Sequence, residues 1–153
     1  MSASNFFYNR LLNPAVRSLL RSPMHGLASG SIAILHFTGI RSGRSLNTPL
    51  SYTQEDETVR LLSNQNTRWW KNLRGVDVPV EMEIARQRLP GIARLYEGDS
   101  QALRDGVTRF INRLPRDAVI YGLKLDDRKQ LIPESLETQI GDLVLVEILL
   151  SGH

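Results

Sequence analysis

The sequence predicts a domain of mainly β structure, an α+β fold in which a small antiparallel barrel is covered by a few helices. The length of 153 residues suits one compact domain, and we take residues 1–153 as that domain. Two observations indicate strands: an apolar run at 32–37 lies between glycines, and residues 78–85 alternate in polarity. A third indicates a helix: apolar residues recur every three or four positions from Leu103 to Leu114.

The first half of the chain predicts one helix followed by strands. The Asn-Pro pair at 13–14 suits a helix start, so we expect a helix over 14–21, within an N-terminal helical segment, residues 1–30, that packs on the barrel. Polar residues 54–57 predict a hairpin turn. The strands are expected over 31–38, 46–53 and 58–62, and a short helix over 68–73.

The second half predicts a hairpin, a crossing helix and a closing strand. The alternation at 78–85 marks a half-exposed strand, and an apolar run pairs back after a polar turn. Asp99 or Ser100 caps the amphipathic helix, and Pro115 ends it. The strands are expected over 78–85, 89–96 and 143–150, and the segment 116–125 is open between strand and helix.

Composition excludes several kinds of site. The chain has no cysteine, which rules out disulfides, thiolate-bound metals and cysteine nucleophiles. The three histidines are scattered, so no metal site is expected. A net charge of +3 with only 7% aromatic residues lacks the basic, aromatic-rich stripe of a nucleic-acid binder, so nucleic acid is not an expected partner.

The sequence also predicts where the protein resides. No stretch approaches the ~20 apolar residues that span a bilayer. Residues 1–8 lack the features of a signal peptide, so we expect a cytoplasmic protein. The predicted N-terminal helix carries Arg10, Arg17 and Arg21 on one face, which leaves open a weak contact with an anionic membrane surface. The more ordinary interpretation is a helix that covers the barrel.

Residues 38–50, with the sequence TGIRSGRSLNTPL, carry the most informative chemistry. They place two glycines and two arginines between two predicted strands. Glycines expose backbone N–H groups, and arginines present planar charged forks that fit phosphate oxygens. The segment therefore predicts a cradle for a phosphorylated small molecule, with a solvated hairpin turn as the alternative.

A second segment, residues 68–75, carries two adjacent tryptophans. On a helix, neighbouring side chains point in different directions, so one tryptophan can enter the core while the other shapes a pocket rim. The alternative is that both are core anchors. Arg68 and Lys71 lie three positions apart and share a face.

Together these segments resemble the deazaflavin-dependent nitroreductase family of split β-barrel proteins, which are similar in fold to FMN-binding proteins. The resemblance rests on residues 38–50, on the run WWKNL at 69–73, and on flanking segments at 20–31 and 143–146. It implies a hydride-transferring oxidoreductase that uses coenzyme F-420, a deazaflavin, or FMN as second choice. The implied acceptor is a small electron-poor molecule such as a quinone, nitro compound or enone.

The resemblance also implies a site. The turn would hold the phosphate-bearing tail of the cofactor, the strand after it and the next polar loop would lie beside the ring, and the tryptophan helix would close that side. The implied cofactor-binding residues are Arg41, Ser42, Gly43, Arg44, Thr48, Pro49, Leu50, Ser63, Asn64, Gln65, Trp70, Lys71 and Asn72. Tyr121 and Ser63 are candidates for donating a proton or polarising the substrate.

Two further expectations frame the function. Relatives work as monomers or homodimers, and either state is expected here. The alternatives to an enzyme are a non-catalytic binder of the cofactor or of a hydrophobic ligand, and a basic surface protein.

The chain departs from the family at Ile40 and Leu46, where relatives carry basic residues. With fewer positive charges, the turn suits the polyanionic tail of F-420 less well, so FMN is nearly as strong a candidate for the cofactor.

Overall fold

The computed structural model describes residues 31–151. The predicted helix over 14–21 and the segment 1–30 lie outside the described residues, so the domain assignment for 1–153 stays a prediction. The strands are β1 (Ile32–Thr38), β2 (Ser45–Ser51), β3 (Thr53–Glu55), β4 (Thr58–Asn64), β5 (Val78–Ile84), β6 (Gln87–Glu97) and β7 (Leu143–Leu150). The helices are α1 (Gln101–Arg113), α2 (Pro133–Gln139), a first 3-10 helix (Trp69–Leu73) and a second 3-10 helix (Pro115–Tyr121).

All seven strands form one antiparallel sheet in the order β2-β1-β5-β6-β7-β4-β3. Its two outermost strands, β2 and β3, are joined through the single residue Tyr52. Strands at opposite ends of the order can adjoin in this way only if the sheet curls round on itself. The predicted antiparallel barrel is therefore confirmed.

The barrel does not close completely. β3 pairs with β4 only from Thr58 to Arg60, and β2 pairs only with β1. β2 leads directly into β3, so it lies opposite residues 61–64, the part of β4 beyond the pairing with β3. No backbone ladder joins β2 to these residues. We call this gap between β2 and residues 61–64 the seam.

Two apolar clusters stabilise the fold. Alternate residues of the strands fill the barrel interior, for example Leu35, Met82 and Val146, all fully buried. The second cluster lies outside the sheet, where Leu103, Phe110 and other α1 residues cover β4 and β7. Ser100 caps α1 by accepting a hydrogen bond from the Leu103 amide, as predicted.

The structure corrects the predictions near the seam. The strand expected over 46–53 is interrupted at Tyr52, where the chain leaves β1 and begins to pair with β4. Gln54 and Glu55, expected in a turn, belong to β3, and the turn is reduced to residues 56–57. The segment 116–125, left open between strand and helix, contains most of the second 3-10 helix, Pro115–Tyr121, and then an isolated bridge from Leu125 to Leu131. Within residues 31–151, no helix combines the length and apolarity needed to cross a membrane.

Candidate functional site

The hairpin tip, residues 39–44, is a tight turn between β1 and β2. The Gly39 amide donates to the Arg44 carbonyl and the Gly43 amide to the Gly39 carbonyl, each at 2.9 Å. Gly43 has a φ of +68°, which suits glycine, and Ser42 Oγ accepts from the Arg44 amide. The tip is therefore a defined loop that carries Arg41 and Arg44 into solvent.

The first 3-10 helix fastens this tip to the end of the barrel. Asn72 Oδ1 accepts a hydrogen bond from the Ile40 amide at 2.9 Å, and Asn72 Nδ2 donates to the Trp69 carbonyl at 3.0 Å. One side chain thus joins the tip to the helix. Both hydrogen bonds of Asn72 are to backbone groups, and its contact with a cofactor stays a prediction.

The same helix also fastens the end of β4 and the loop at 65–67 that follows it; Ser63 and Asn64, expected in the polar loop, belong to the strand. The Trp70 indole N–H donates to the Asn64 carbonyl at 3.0 Å, and the Asn66 amide donates to Asn64 Oδ1. The tip and the end of β4 therefore meet at one end of the barrel. Gln65, in that loop, is exposed.

Both tryptophans are core anchors. Trp70 is fully buried and Trp69 is 9% exposed, and both belong to the barrel cluster. The Arg74 guanidinium lies 5.1 Å and Lys71 Nζ 5.6 Å from the centre of the Trp70 ring. Trp70 therefore supports this end of the barrel from inside and brings two cations to it.

Uncompensated positive charge lies at this end of the barrel. Within residues 31–151, Arg41, Arg44, Arg68 and Lys71 are exposed and form no ion pair. Elsewhere in the described residues, Arg86, Lys124, Arg128 and Lys129 share that condition. The other arginines each face a carboxylate: Arg60, Arg74, Arg88, Arg94, Arg104, Arg109, Arg113 and Arg116. Clustered cations without counter-charges favour an anion at this end.

β2 brings Thr48, Pro49 and Leu50 to one side of the seam. All three are buried, and Thr48 faces the barrel interior because it pairs with Leu35 of the core. Thr48 Oγ1 has no hydrogen-bond partner within residues 31–151. Buried hydroxyl groups normally form a hydrogen bond, so we expect Thr48 Oγ1 to find its hydrogen-bond partner outside residues 31–151.

Ser63 lies on the opposite side of the seam and is 5% exposed. Its Oγ is hydrogen-bonded to Thr67 Oγ1, and Thr67 Oγ1 donates to the Asn64 carbonyl at 3.2 Å. Since the Thr67 hydrogen is already used, the hydrogen between the two hydroxyls comes from Ser63. Ser63 Oγ is therefore left as a hydrogen-bond acceptor.

The second 3-10 helix spans the seam. Near its start, the Asp117 carboxyl interacts with the Ser51 side chain at the end of β2. At its end, the Tyr121 hydroxyl donates to the Leu62 carbonyl of β4 at 2.8 Å. Burial raises the pKa of Asp117, and Ser51 and Arg116 partly oppose that shift.

The structure thus brings the predicted site residues to two places. Arg41, Ser42, Gly43, Arg44, Lys71 and Asn72 lie at the hairpin tip and the helix fastened to it; Thr48, Pro49, Leu50, Ser63, Asn64, Gln65 and Tyr121 lie along the seam. Trp70, also predicted to bind the cofactor, is fully buried in the barrel core. Sequence reasoning missed Asp117, because the structure of 116–125 was undecided. The described residues contain no cluster of side chains suited to a metal ion.

The donor set fits an anionic cofactor with a flat ring. Free cations at the tip match a phosphorylated tail. The buried, unsatisfied Thr48 hydroxyl shares its face of β2 with apolar Leu50, as a ring with polar edges requires, while Pro49 lies on the other face, opposite Ile34.

Comparison with solved structures supports the architecture. An F-420-H2 dependent reductase (FDR-A) superposes with a TM-score of 0.54 and 16% identity, over 77% of this chain and 93% of that chain. The heme storage protein HutZ from Vibrio cholerae gives 0.53 and 16%, over 92% and 90%. At such identities the likeness shows the fold alone, and it confirms the split barrel.

Comparison of sequences identifies the family. No curated protein sequence matches the chain. A sequence model described as F-420H(2)-dependent quinone reductase matches residues 21–112, well over half of the chain. The matched span includes the hairpin tip, both sides of the seam and the tryptophan helix, so the resemblance inferred from these segments is confirmed. The chain therefore belongs to the F-420H(2)-dependent quinone reductase family, a family of oxidoreductases.

Proposed function

We propose that this protein transfers a hydride from reduced coenzyme F-420 to an electron-poor organic acceptor of the quinone type. The observation that carries the proposal is the cluster of unpaired cations at the hairpin tip, which lies within the span that the family model matches. Quinone as the acceptor comes from the description of the family.

Arg41 and Arg44 hold the phosphate of the cofactor tail in this proposal. Both guanidinium groups are exposed and free of carboxylates within residues 31–151, so binding an anion requires no ion pair to break. Asn72 holds the backbone of the tip against the barrel, which positions the loop that carries both arginines. Lys71 and Arg68 add positive charge beside them.

The ring lies along the seam, between the 48–50 segment of β2 and residues 63–65, where β4 ends. Thr48 Oγ1 and Ser63 Oγ supply polar partners from opposite sides, and Leu50 contributes apolar surface on the same face as Thr48. Apolar walls exclude water from the reacting carbon, which protects a hydride donor.

When bound, the reduced deazaflavin supplies a hydride, and a quinone that accepts it takes up one proton to become the quinol. The Tyr121 and Ser63 hydrogens are directed at Leu62 O and Thr67 Oγ1. Both hydroxyls therefore orient ligands best as acceptors. Solvent at the mouth of the seam supplies the proton in this arrangement.

FMN remains the second cofactor to test. Its single terminal phosphate needs fewer cations than the phosphodiester and polyglutamate tail of F-420. Ile40 and Leu46 place apolar side chains at the tip, 65% and 37% exposed. A tip with only two arginines suits either cofactor on charge alone, and the family match favours F-420.

Parallel fluorescence titrations with F-420 and FMN test the proposal. We expect F-420 to bind at micromolar concentration and the double variant Arg41→Ala/Arg44→Ala to bind at least about tenfold more weakly. The control is Arg86→Ala/Arg128→Ala, which removes the same charge from two unpaired arginines in other turns. Binding of neither cofactor would overturn the function, and equal losses in both variants would overturn the tip assignment.

Turnover separates a reductase from a carrier. Oxidation of reduced F-420 by menadione, followed by absorbance, should be catalytic at enzyme concentrations far below substrate. Tight binding without turnover would favour the alternative, a protein that stores or carries the cofactor.

A further inference from the structure

Ile34 is fully buried although it lies on the outer face of the barrel. Its neighbours in β1, Ala33 and Leu35, belong to the cluster inside the barrel, and successive side chains of a strand point to opposite faces. Ile34 itself belongs to neither of the two apolar clusters that the described residues form. A fully buried side chain normally touches several others, so Ile34 needs apolar neighbours beyond those two clusters.

The residues beside Ile34 are buried on the same face. Ile34 pairs with Pro49 of β2 and with Glu83 of β5, and both are buried. Directly paired residues of an antiparallel sheet share a face. Asn47, two positions before Pro49, is also on this face, and its Oδ1 is buried without a hydrogen-bond partner within residues 31–151. We call the surface formed by Ile34, Asn47, Pro49 and Glu83 the β1 outer face.

The cover of the β1 outer face comes from another part of the molecule than the main helix. α1 packs on β4, β6 and β7. Outside residues 31–151, the chain has residues 1–30 and, at its other end, one glycine and one histidine. Of these two parts, only residues 1–30 contain aliphatic side chains.

We propose that residues 1–30 dock on the β1 outer face of their own chain, with the apolar side of the predicted helix over Ile34 and Pro49. That side carries Val16, Leu19 and Leu20. Their contact with the β1 outer face removes apolar surface of both parts from water. The inference goes beyond the proposed function, because it depends on neither the cofactor nor the acceptor.

The point at which this segment joins the barrel suits the placement. Ser31, the next residue, is held by two hydrogen bonds: its carbonyl accepts from the Tyr52 amide at 2.9 Å, and its Oγ accepts from Arg116 Nη2 at 2.6 Å. Residues 22–30 separate the predicted helix from Ser31, and an extended chain of that length spans up to about 30 Å. The seven residues of β1 cover about 23 Å, so the helix can reach every part of the β1 outer face.

Charge complements the apolar contact. Residues 1–30 carry three arginines and neither aspartate nor glutamate. The β1 outer face has a carboxyl group at its centre, since Glu83 is 8% exposed and its Oε1 lies 2.9 Å from His36 Nε2. Glu81, which is paired with Arg88, lies on the same face opposite His36. A basic segment therefore meets acidic side chains here.

Docking on this face also supports β2 from behind. Within the described residues, β2 is an edge strand that pairs only with β1. Pro49 lies on the outer face, whereas Thr48 and Leu50 lie on the inner side, where the ring is proposed to bind. Residues 1–30 thus hold in place the strand that forms one side of the seam.

Thiol labelling tests the contact, because the chain has no cysteine of its own. Ile34→Cys places one thiol on the β1 outer face, and Leu35→Cys, the matched control, places one inside the barrel on the next residue of β1. Each is made in the full chain, with and without Leu19→Ser/Leu20→Ser, and labelled with an aromatic disulfide reagent in the absence of lipid. We expect the thiol at position 34 to react slowly in the otherwise unmodified chain and at least about tenfold faster with the serine pair. The thiol at position 35 should react slowly in both.

Each outcome decides the proposal. Acceleration confined to position 34 supports it. Fast labelling of position 34 in the otherwise unmodified chain, equal rates with and without the serine pair, or equal acceleration at both positions would overturn it. Protection that is lost on dilution also overturns it, because a second copy of the chain would then be the cover. Circular dichroism and Tm report whether each variant folds, and Val16→Ser replaces the serine pair if the pair does not, with a smaller acceleration expected at position 34.

Discussion

The Ile40 amide donates a hydrogen bond to Asn72 Oδ1, 2.9 Å away, across 32 positions of the chain. This bond joins the tip that carries Arg41 and Arg44 to the helix that closes the barrel. The site proposed for the cofactor tail thus depends on a residue that does not itself need to contact the cofactor.

We expect Asn72→Ala to free the tip. The amide hydrogen of Ile40 should exchange faster by NMR, while that of Gly39, bonded to Arg44, should keep its protection. F-420 affinity should fall about two- to tenfold, the range expected for the loss of one net hydrogen bond. Unchanged Ile40 protection in the variant would contradict the role given to Asn72.

An added positive charge at the tip should favour F-420, which has the longer anionic tail, over FMN. Ile40 is 65% exposed, so Ile40→Lys is tolerated sterically and adds a cation beside Arg41. We expect F-420 to bind about two- to fivefold more tightly at low salt and FMN to change less, because F-420 carries more negative charge. Titrations at two ionic strengths check this, and an equal gain for both cofactors would argue against contact with the tail.

The tryptophan pair should differ in its contribution to stability. Trp70→Phe removes buried volume and the indole hydrogen bond to Asn64 O, and we expect it to lower the free energy of unfolding by about 2 kcal/mol. Trp69→Phe makes the same change of ring at a site 9% exposed and should cost about half as much or less. Urea unfolding measures both, and equal losses would show that the bond to Asn64 contributes little.

Gly106 allows α1 to lie close to the sheet. A Cβ at this position would overlap Leu145 Cδ2, and Leu145 is fully buried, so it has little room to move. Despite the better helix propensity of alanine, we expect Gly106→Ala to destabilise the protein by about 1–2 kcal/mol. Gly141→Ala, where nothing lies within 4 Å, is the control and should be close to neutral in thermal unfolding.

Asp117 should make stability depend on pH. Burial raises its pKa in the folded state, so the folded protein binds the proton more tightly than the unfolded chain does. Stability from this group is therefore greatest below the ordinary aspartate pKa, about 3.9, and falls as pH rises toward the raised value. The Tm of Asp117→Asn, measured relative to the Tm of the unmodified protein, should rise with pH across that window and stay constant above it. A constant Tm difference at all pH values would refute the assignment.

Several predictions made from the sequence remain to be measured. The monomeric or dimeric state, the cytoplasmic location and the membrane contact through the N-terminal helix are among them. The roles of the individual site residues also stay predictions, and the variants above address the tip and the tryptophan helix.

The strands could be predicted because they depend on local patterns. Alternation at 78–85 and the apolar run at 143–150 reflect burial on one or both faces, which any single sequence displays. The Ser100 cap and the apolar stripe of α1 also depend only on residues that are close together in the sequence. The break at Tyr52 could not be predicted, because it marks a change of partner from β1 to β4, strands distant in the chain.

The sequence by itself determined the barrel class, the basic turn and the family, since composition and motif order carry that information. Only the tertiary structure decided how the parts meet. It showed that Asn72 fastens the tip, that both tryptophans are buried, and that Tyr121 bonds the second 3-10 helix to Leu62 of β4, with Asp117 buried near its start. The physical reason is that each of these contacts joins segments far apart in sequence, so no local pattern contains it.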